Sequence, residues 1–513
     1  MMTAAADPKF LDHQAANGDR LSARAMWCRI TLVSFTLAVG LTAWSAASAE
    51  ESLSSRIPLV SDALANDEKT PASEHPKPDL SAEIEARKSY SIPALEIFGE
   101  ELLLNQINRR SPGGGDYRSN MSTISSNLRS SWYVDDDPFK TNQLGHPFQG
   151  SIYHGFARSA GLNYWESLGY DFAGSALWEI AGERVPPSKN DQISTAFGGS
   201  FLGEALFRMS NMVLEHGNDE PQLWREAGAG VISPPTGFNR MAFRNRFDAI
   251  FPSRDPAYYS RLQLGFSGTA HNGQGTSTTK LNRNEALADF YMDYGLPGKP
   301  GYGYTRPFDY FNFQATVSSA NGFENVMTRG LLVGKDYEEG KNFRGVWGLY
   351  GSYDYIAPQI FRISTTALSL GTRGEWHPSD SIALQGEGLL GEGYAAAGSI
   401  GSDATERDYH YGVAPQALVS TRLIFGDRAS FDLTAREYFV NGVANREGHD
   451  NIIRIDTSFS VRIHQQHAIT IKYLGSRRDA TFPDLSARTQ FRSTVGIFYT
   501  FTGHSRFGAV DWQ

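Results

Sequence analysis

The stretch IIRIDTSFSVRIH, residues 452–464, decides the fold of this chain. From Ile453 to Ile463, every second residue is apolar or threonine, and the residues between them are charged or polar. A period of two predicts a β-strand whose two faces meet different surroundings. A soluble sandwich buries its apolar face, whereas a membrane barrel turns that face to lipid and its polar face to the lumen. Charges such as Arg454 and Arg462 on the second face favour the membrane barrel.

The same alternation recurs through the C-terminal half of the chain. Eleven segments have strand patterns, namely 258–266, 309–319, 324–334, 343–355, 360–373, 381–394, 408–425, 431–436, 452–464, 467–475 and 491–501. Single-chain bacterial barrels have even strand numbers, so we expect about 12, with one more strand near the front or two strands merged. The predicted fold class is a transmembrane antiparallel β-barrel over residues 251–513, preceded by a small α-helical hairpin domain. Arg436 and Asp456 are expected to join the polar lumen.

Composition agrees with a polar-lined barrel. The 513 residues include 51 Gly, 31 Phe and 23 Tyr, and the mean hydropathy is −0.37. A membrane barrel reaches such values because only alternate strand residues must be apolar and its turns use glycine. The formal net charge of −9 and the acidic, exported character argue against nucleic acid as a partner.

A targeting segment begins the chain. Arginines precede the apolar run 30–44, and Ala47–Ala49 provides a small-x-small cleavage site. These features predict a cleavable signal peptide over residues 1–49 and export to the outer membrane, although Met26 is an alternative start. An uncleaved anchor is disfavoured because the run is short for a membrane span. The only cysteine, Cys28, would leave with the signal peptide, so the mature chain would have no disulfide or thiol ligand.

Two regions separate the signal peptide from the barrel. Residues 50–131 are polar and rich in Pro, Gly and Ser, and predict a flexible periplasmic lead-in with a short helix at 92–108. Residues 132–250 predict a helical domain, with helices at about 149–159, 164–182, 189–215 and 221–232, the third capped by Ser188. Charges inside these runs are unfavourable in lipid. We therefore expect the helices to lie in the periplasm, to plug the lumen or to abut the barrel.

Small residues in this domain predict a helix-packing seam. Gly199 and Gly203 are four residues apart, Gly198 adjoins them, and Gly174 lies on a matching small face of the preceding helix. Glycine costs about 1 kcal/mol relative to alanine inside a helix. Such a cluster therefore indicates the close approach of another backbone. We expect the second and third helices to form a tight hairpin.

The same domain contains a candidate polar cluster. Its members are Arg158, Glu179, Glu183, Asp191, Glu204 and Arg208. Glu204 and Arg208, spaced i, i+4, predict a partly buried ion pair, and a surface pair is the alternative. The three other carboxylates could serve acid–base chemistry or bind a divalent ion, but Asp191 in the first turn of its helix favours a capping role. His146 and His154 have no further ligands at diagnostic spacing, so we predict no metal and no cofactor.

Two segments carry a family resemblance. They are WYVDDDPFKTNQLGHPFQGSIYHGFARSAGLNYWES, residues 132–167, and WEIAGERVPPSKNDQISTAFGGSFLGEALFR, residues 178–208. Their motifs include the His146–Gly150 entry, the Arg158–Gly161 turn, the Trp165-Glu166 pair, and the Asp191–Gly199 helix that ends in Gly203–Arg208. A weaker match reaches RPFDYFNFQ at 306–314. They resemble a family of Gram-negative proteins that are expected in the outer membrane and are known as a domain of unknown function. The resemblance implies location and architecture, and it brings no activity or catalytic residue.

The sequence therefore favours a non-enzymatic outer-membrane protein, structural or a gated passage for a small or lipidic molecule. Outer-membrane lipid and such a ligand are the expected partners. One alternative is a lipid- or lipopolysaccharide-modifying enzyme that uses the acidic residues or a rim residue within 364–366 together with His410. The other alternative is a soluble periplasmic β-protein that binds a ligand. Catalytic residues stay unassigned, because no nucleophile elbow or phosphate-binding loop occurs.

Overall fold

The computed structural model describes residues 87–111, 114–215, 223–244, 246–274, 284–358, 360–399, 405–442, 447–483, 485–503 and 506–512. The predicted signal peptide, and the lead-in as far as residue 86, lie outside these ranges. The described chain consists of a set of helices followed by a β-barrel.

Eight α-helices are found in the described part of the chain. They are α1 (Ser91–Arg110), α2 (Met121–Asn127), α3 (His146–Ser159), α4 (Tyr164–Leu177), α5 (Lys189–Ile193), α6 (Gly199–Glu215), α7 (Leu223–Ile232) and α8 (Pro234–Ala242). Three π-helical turns, Thr141–Gly145, Trp178–Gly182 and Ser194–Gly198, extend α3 and α4 and join α5 to α6. Within the described ranges, no helix combines the length and the apolar character that crossing a membrane requires.

Local sequence explains where the main helices begin. The Asn163 side chain accepts hydrogen bonds from the backbone N–H groups of Trp165 and Glu166, and the Glu166 carboxylate accepts one from the Asn163 N–H. This capping box satisfies N–H groups that have no partner within α4. Ser188 accepts a hydrogen bond from the N–H of Asp191 at the start of α5, as its position in the sequence predicts.

Twelve strands, counted over the described residues, close into an antiparallel barrel. They are β1 (Tyr258–Gln274), β2 (Asn284–Tyr294), β3 (Phe311–Ser318), β4 (Gly322–Glu339), β5 (Phe343–Ile356), β6 (Phe361–Ser379), β7 (Ile382–Ser399), β8 (Tyr409–Phe425), β9 (Ala429–Gly442), β10 (His449–His464), β11 (His467–Phe482) and β12 (Leu485–Thr502). Each strand pairs with its neighbours in sequence, and β12 pairs with β1. The predicted barrel of about 12 strands preceded by helices is confirmed.

The strand that the sequence patterns did not include is β2. Its sequence, NEALADFYMDY, pairs with β1 along its whole length and with all of β3. The Glu, Ala and Leu residues in its first half have intrinsic propensities that favour helix over strand. The period-two alternation of β2 is therefore hard to recognise in the sequence. With β2 included, the barrel has the even strand number that the eleven segments lacked.

The two faces of the barrel differ as the alternation predicts. In β10, Arg454 is 2% exposed on the lumen side, whereas Phe459 and Ile463 are 44% and 63% exposed on the outside. Exposed apolar side chains also line the outside of β1, β11 and β12, for example Phe266 and Ile497. We call the end at which β1 begins and β12 ends the proximal end, and the opposite end the distal end.

The helices pack against the outer wall of the barrel. Tyr353 on β5 and Tyr411 on β8 share the outward-facing register with exposed residues of their strands, yet both are buried. The ring of Phe201 on α6 lies against Gly351 on β5, and Gly198 meets Thr366 on β6. The buried outward residues of β2 to β8 join α6 in one hydrophobic core. We call the helices α1 to α8 and their π-helical turns the helical layer.

This placement corrects the expectation of a lumen plug and keeps the alternative in which the helices abut the barrel, whereas a periplasmic location of the helices stays a prediction. The expectation rested on the cost of charges in lipid. In the structure, Glu204 and Arg208 are buried between α6, its neighbouring helices and the barrel wall, so neither charge lies on the surface of the helical layer. The exposed side chains of α1 include Leu95, Phe98 and Leu102.

The glycine seam lies chiefly between α3 and α6, and not between α4 and α6 as predicted. A Cβ atom added to Gly199 would lie 2.5 Å from the Cα atom of Gly150, and one added to Gly203 would lie 2.8 Å from the Cβ atom of His154. Gly174 on α4 instead makes room for Tyr153 on α3. The prediction chose the wrong partner because it did not consider Gly150 as part of the seam.

Candidate functional site

A buried ion network is centred on Glu204, in the middle of α6. Its carboxylate accepts hydrogen bonds from Arg158 Nε at 2.7 Å and from Arg208 Nε at 2.8 Å, and lies 3.2 Å from His154 Nε2. Glu204 and His154 are fully buried, and both arginines are nearly so. Three helical side chains therefore surround one carboxylate that has no contact with water.

The network continues in both directions from this centre. His154 Nδ1 lies 2.8 Å from Asp171 Oδ2 on α4. Arg208 donates from Nη1 to Asp309 Oδ1 at 3.1 Å and from Nη2 to the Pro307 carbonyl at 2.6 Å. Asp309 belongs to the connection between β2 and β3, so the network ties three helices to the proximal end of the barrel.

The charges of the network keep its central groups ionised. Burial alone would raise the pKa of Glu204, but Arg158, His154 and Arg208 hold that pKa well below its usual value. Burial would lower the pKa of His154, but Asp171 and Glu204 raise it. Both ring nitrogens of His154 face carboxylates, so this histidine presents neither nitrogen to a nucleophile. The geometry is that of a structural ion network.

A second polar group lies at the distal side of the helical layer and contains Glu179, Glu183 and Asp191. Glu179 accepts a hydrogen bond from the Ser188 N–H at 2.8 Å, and Glu183 accepts one from Trp178 Nε1 at 3.0 Å. Burial raises the pKa of Asp191 to about 8, and burial with the nearby Asp191 charge raises that of Glu179 well above its usual value.

This acidic group is tied to the barrel through amide and phenol side chains. Asn190 donates to Asp191 Oδ1 and to the Tyr411 hydroxyl on β8, both at 2.8 Å. Asn142 donates to the hydroxyls of Tyr409 and Tyr411. His146 Nε2 lies 3.7 Å from Asp191 Oδ2. Over the described ranges, no three His, Asp, Glu or Cys side chains converge to hold a metal ion.

The raised pKa of Asp191 predicts a pH dependence of stability. The folded-state pKa of about 8 lies above the unfolded-state value of about 4, so the protonated side chain stabilises the fold at low pH. This contribution is lost as the pH rises from about 4 to about 8. We expect Asp191→Asn, which stays neutral, to show a weaker fall in thermal unfolding midpoint over this window.

The control for this experiment is Asp255→Asn, because the Asp255 side chain is 88% exposed. Its midpoint should follow that of the wild type at every pH. Parallel curves for the wild type and Asp191→Asn would contradict the prediction.

The structure divides the predicted polar cluster into two sites. Arg158, Glu204 and Arg208 meet in the proximal ion network, whereas Glu179, Glu183 and Asp191 form the distal group. The prediction did not include His154, Asp171 or Asp309. One signal for Asp309 was available, because the resemblance extends, more weakly, into the segment that contains it. Asp171 has no comparable signal, since it is brought to His154 by the packing of α4 on α3.

Both sites fall in a single stretch of the chain, apart from Asp309 and the barrel tyrosines. Residues 131–235 match the DUF3943 family model. The family is described as a domain of unknown function. The match covers α3 to α7, which includes both polar sites, and it confirms the resemblance predicted from the motifs. No curated protein shows significant sequence similarity to the chain.

Solved structures with some similarity are outer-membrane proteins. The NanC porin has 7% identity and a TM-score of 0.25, with coverage of 45% of this chain and 98% of that chain. The channel DcaP of Acinetobacter baumannii has 7% identity and a TM-score of 0.22, with coverage of 48% and 96%. An anion-selective porin from Comamonas acidovorans has 9% identity and a TM-score of 0.21, with coverage of 48% and 98%. These scores carry no argument, and the fold rests on the strand pairing described above.

The lumen beside the helical layer is crossed by ion pairs. Arg422 on β8 lies 3.2 Å from Asp293 on β2, which is the strand diametrically opposite in the barrel. Arg373 on β6 lies 3.5 Å from the same carboxylate. Arg261 on β1 lies 3.4 Å from Asp432 on β9. All these side chains are at least partly buried. We call these five residues the ion-pair layer.

The segment 506–512 occupies the proximal mouth of the barrel. Gln385 Nε2 donates to the Gly508 carbonyl at 2.8 Å, and Glu375 accepts from the Val510 N–H at 2.9 Å. Phe507 and Val510 are 0% and 4% exposed. The segment therefore lies on the proximal side of the ion-pair layer and adds a second barrier to the passage of a solute.

Of the rim residues considered for an enzyme, Ser364 and Thr366 face outward, whereas Thr365 and His410 face the lumen, and Thr365 is engaged by Gln416 at 3.2 Å. Ser364 on β6 shares the outward register with the exposed Leu368, and is buried. His410 on β8 shares the inward register with Arg422 and lies 3.6 Å from Asp450. The two side chains cannot act together on one substrate, because the wall of the barrel separates them.

Proposed function

We propose that this chain is an integral outer-membrane protein whose barrel is a closed scaffold for the DUF3943 helices. In this role the barrel holds the helical layer within the membrane, and it does not act as an open pore. The observation that carries the proposal is the ion-pair layer, in which Arg422 and Asp293 join opposite strands across the lumen.

The surface of the barrel supports a place in the membrane. The outer faces of β1 and β10 to β12 expose side chains such as Phe266, Ile471 and Ile497, each more than half exposed. A soluble protein rarely exposes a continuous apolar surface of this kind, whereas an outer-membrane barrel turns such a band to lipid. This arrangement counts against the soluble periplasmic alternative.

The interior supports closure. An open porin keeps a water-filled channel through its polar interior, whereas other barrels have a plugged interior. Here the guanidinium of Arg422 contacts Asp293 and also Asp432, where Nε lies 2.7 Å from Oδ1. Separating such buried, paired charges costs several kcal/mol unless water replaces the lost contacts. A small solute therefore meets two barriers, this layer and the segment 506–512.

A gated passage is the second candidate, and one observation favours it. The segment 506–512 closes the proximal mouth and belongs to no strand of the barrel, and its described hydrogen bonds include those of Gly508 and Val510. A segment of this kind could leave the mouth without breaking a strand pair. The enzyme alternative has no comparable support, because the carboxylates of both polar sites are engaged in structural contacts.

Planar-bilayer recording tests the proposal. After membrane fractionation confirms that the full chain is in the outer membrane, the purified protein should give no steady conductance. Removal of residues 506–512 alone should leave the barrel closed, because the ion-pair layer remains. The same deletion combined with Asp293→Asn should produce conductance, because Arg422 and Arg373 then lose their shared partner. Heat-modifiable migration on a gel checks that each variant is folded.

Steady conductance of the full chain would refute the closed scaffold and favour an open pore. Conductance after the deletion alone would favour the gated passage. A chain found in the soluble periplasmic fraction would refute both.

A further inference from the structure

The helix α1 packs on the other helices of the helical layer and leaves one of its own faces uncovered. Its buried residue Ile97 belongs to a cluster with Tyr153 and Phe156 of α3. It also contacts α4 and the π-helical turn Trp178–Gly182. Four large apolar side chains lie on the uncovered face, and we call them the α1 outer face. They are Leu95, Phe98, Leu102 and Leu103, each about half exposed or more.

The charged residues of α1 are turned the other way. Between Ser91 and Ile107 they are Glu96, Glu100 and Glu101, and none of the three is exposed. Glu96 faces Asn239 of α8, and Glu101 faces Tyr153 of α3. A helix with one face in water normally places charged side chains on that face and apolar side chains inward. The distribution in α1 is the reverse, as expected where the uncovered face meets hydrocarbon.

The helical layer extends along the barrel wall from one end to the other. At the proximal end, Arg208 donates to Asp309 in the connection between β2 and β3. At the distal end, the Phe139 N–H donates to the Glu406 carbonyl at 2.8 Å, in the connection between β7 and β8. A barrel that crosses the bilayer therefore holds the helical layer at the same depth as its strands.

The helix α1 follows the same direction as the layer. Before its first turn, the Ser89 N–H donates to the Ala160 carbonyl at 3.1 Å, near the proximal ion network. Near its end, Asn105 donates to the Gly182 carbonyl at 2.6 Å, beside the distal acidic group. The α1 outer face therefore lies between the two ends of the barrel.

The length and the ends of α1 match a bilayer. Its 20 residues extend over about 30 Å, which is about the thickness of the hydrocarbon core. The exposed Tyr90 precedes the helix, and Arg109 and Arg110 lie in its last turn. Tyrosine and basic side chains are favoured at the two interfaces between membrane and water.

We infer that the α1 outer face contacts the acyl chains of the outer-membrane lipid. The helix is the lipid-facing wall of the helical layer, with Tyr90 at one interface and Arg110 at the other. It does not cross the bilayer as an isolated span, because its opposite face carries three glutamates that pack on the layer. This inference rests on the proposed place of the layer in the membrane, and it adds the surface and its partner.

Spin-label accessibility in proteoliposomes tests the inference. The full chain with Cys28→Ser, which leaves no other cysteine, is reconstituted into vesicles of phosphatidylethanolamine and phosphatidylglycerol. Leu95→Cys, Phe98→Cys and Leu102→Cys then each provide one site for a nitroxide label. Each label should collide several-fold more often with dissolved oxygen than with a water-soluble nickel chelate, because oxygen concentrates in hydrocarbon and the chelate is excluded from it.

Two further positions calibrate the measurement. Ile471→Cys reports on lipid, because Ile471 is 56% exposed on the outer face of β11. Asp380→Cys reports on water, because Asp380 is exposed in the proximal turn between β6 and β7. The ratio of oxygen to chelate collisions should be highest at Phe98 and Leu102 and should fall towards both ends of α1. Heat-modifiable migration checks that each labelled variant is folded.

The possible results separate the inference from the proposed function. If the α1 labels behaved like the Asp380 label while the Ile471 label lay in lipid, the inference would be wrong and the membrane barrel would stand. Labels on α1 that were shielded from both oxygen and chelate would also overturn it, because a protein surface such as a second copy of the chain would then cover α1. An Ile471 label accessible to the chelate would refute the membrane barrel itself.

Discussion

Glu204→Ala is expected to reduce the free energy of unfolding of the helical layer by about 3–5 kcal/mol. The physical reason is that Arg158 and Arg208 would remain buried while losing the carboxylate that lies 2.7 Å and 2.8 Å from their Nε atoms. His154 would lose the same partner. The measurement is thermal unfolding followed by circular dichroism in the helical region, together with the yield of heat-modifiable barrel.

The matched control is Glu338→Ala. Glu338 also pairs with an arginine, Arg344, at 3.4 Å, but its side chain is 64% exposed. Exposed pairs contribute about 0–1 kcal/mol, so this variant should unfold close to the wild type. If Glu204→Ala had the same thermal unfolding midpoint as the wild type, the ion network would not be what stabilises the helical layer.

Gly199→Ala is expected to separate α3 from α6 and to destabilise the helical layer by about 3 kcal/mol, the upper end of the usual cost of overpacking. The new Cβ atom would lie 2.5 Å from Gly150 Cα and 2.6 Å from its carbonyl carbon. These are backbone atoms, so no rotation of a side chain relieves the contact. Limited proteolysis of the helical layer and thermal unfolding both measure the effect.

Gly169→Ala is the control for the glycine seam. Gly169 lies in α4, and an added Cβ atom would have nothing within 4 Å. Alanine is the better helix former by about 1 kcal/mol, so this variant should be slightly more stable than the wild type. The two substitutions are chemically identical and are expected to have opposite signs. A loss of stability in both would mean that helix conformation, and not the seam, limits stability.

The barrel could be predicted because its signal is local. In β10, the polar Arg454 and the apolar Ile455 are neighbours, so this pair alone indicates which face of the strand is inward and which is outward. The strand β2 was hidden because its residues favour helix, and only its pairing with β1 and β3 makes it a strand. The side of the wall on which the helices lie could not be predicted, since outward residues such as Tyr353 look alike whether lipid or a helix covers them.

The candidate site could be predicted only where its residues lie close to one another in the sequence. Glu204 and Arg208 are one helical turn apart, so their spacing indicates the pair. Asp171 and Asp309 reach the network from other elements, through contacts with His154 and Arg208. No pattern along the chain encodes those contacts. The distal acidic group was visible as charges, but its attachment to Tyr411 required the folded barrel.

The distal carboxylates also show that a cluster of structural acidic residues can resemble a catalytic acid–base site. Glu179 and Asp191 have raised pKa values because burial disfavours their charged forms. In many enzymes such shifts mark an acid or base. Here Glu179 accepts a hydrogen bond from the Ser188 backbone N–H, and Asp191 accepts one from the Asn190 side chain. These carboxylates therefore have structural partners within the helical layer.

The one-sided position of the helical layer has a consequence for assembly. The helices cover strands β2 to β8, whereas the junction between β12 and β1 lies on the uncovered flank. The helices precede every strand in the chain, so they can dock on the growing sheet while its two edges are still apart. The last step, joining the first strand to the last, then takes place away from the helices. The helical layer would act as a template for the curved sheet while the barrel closes.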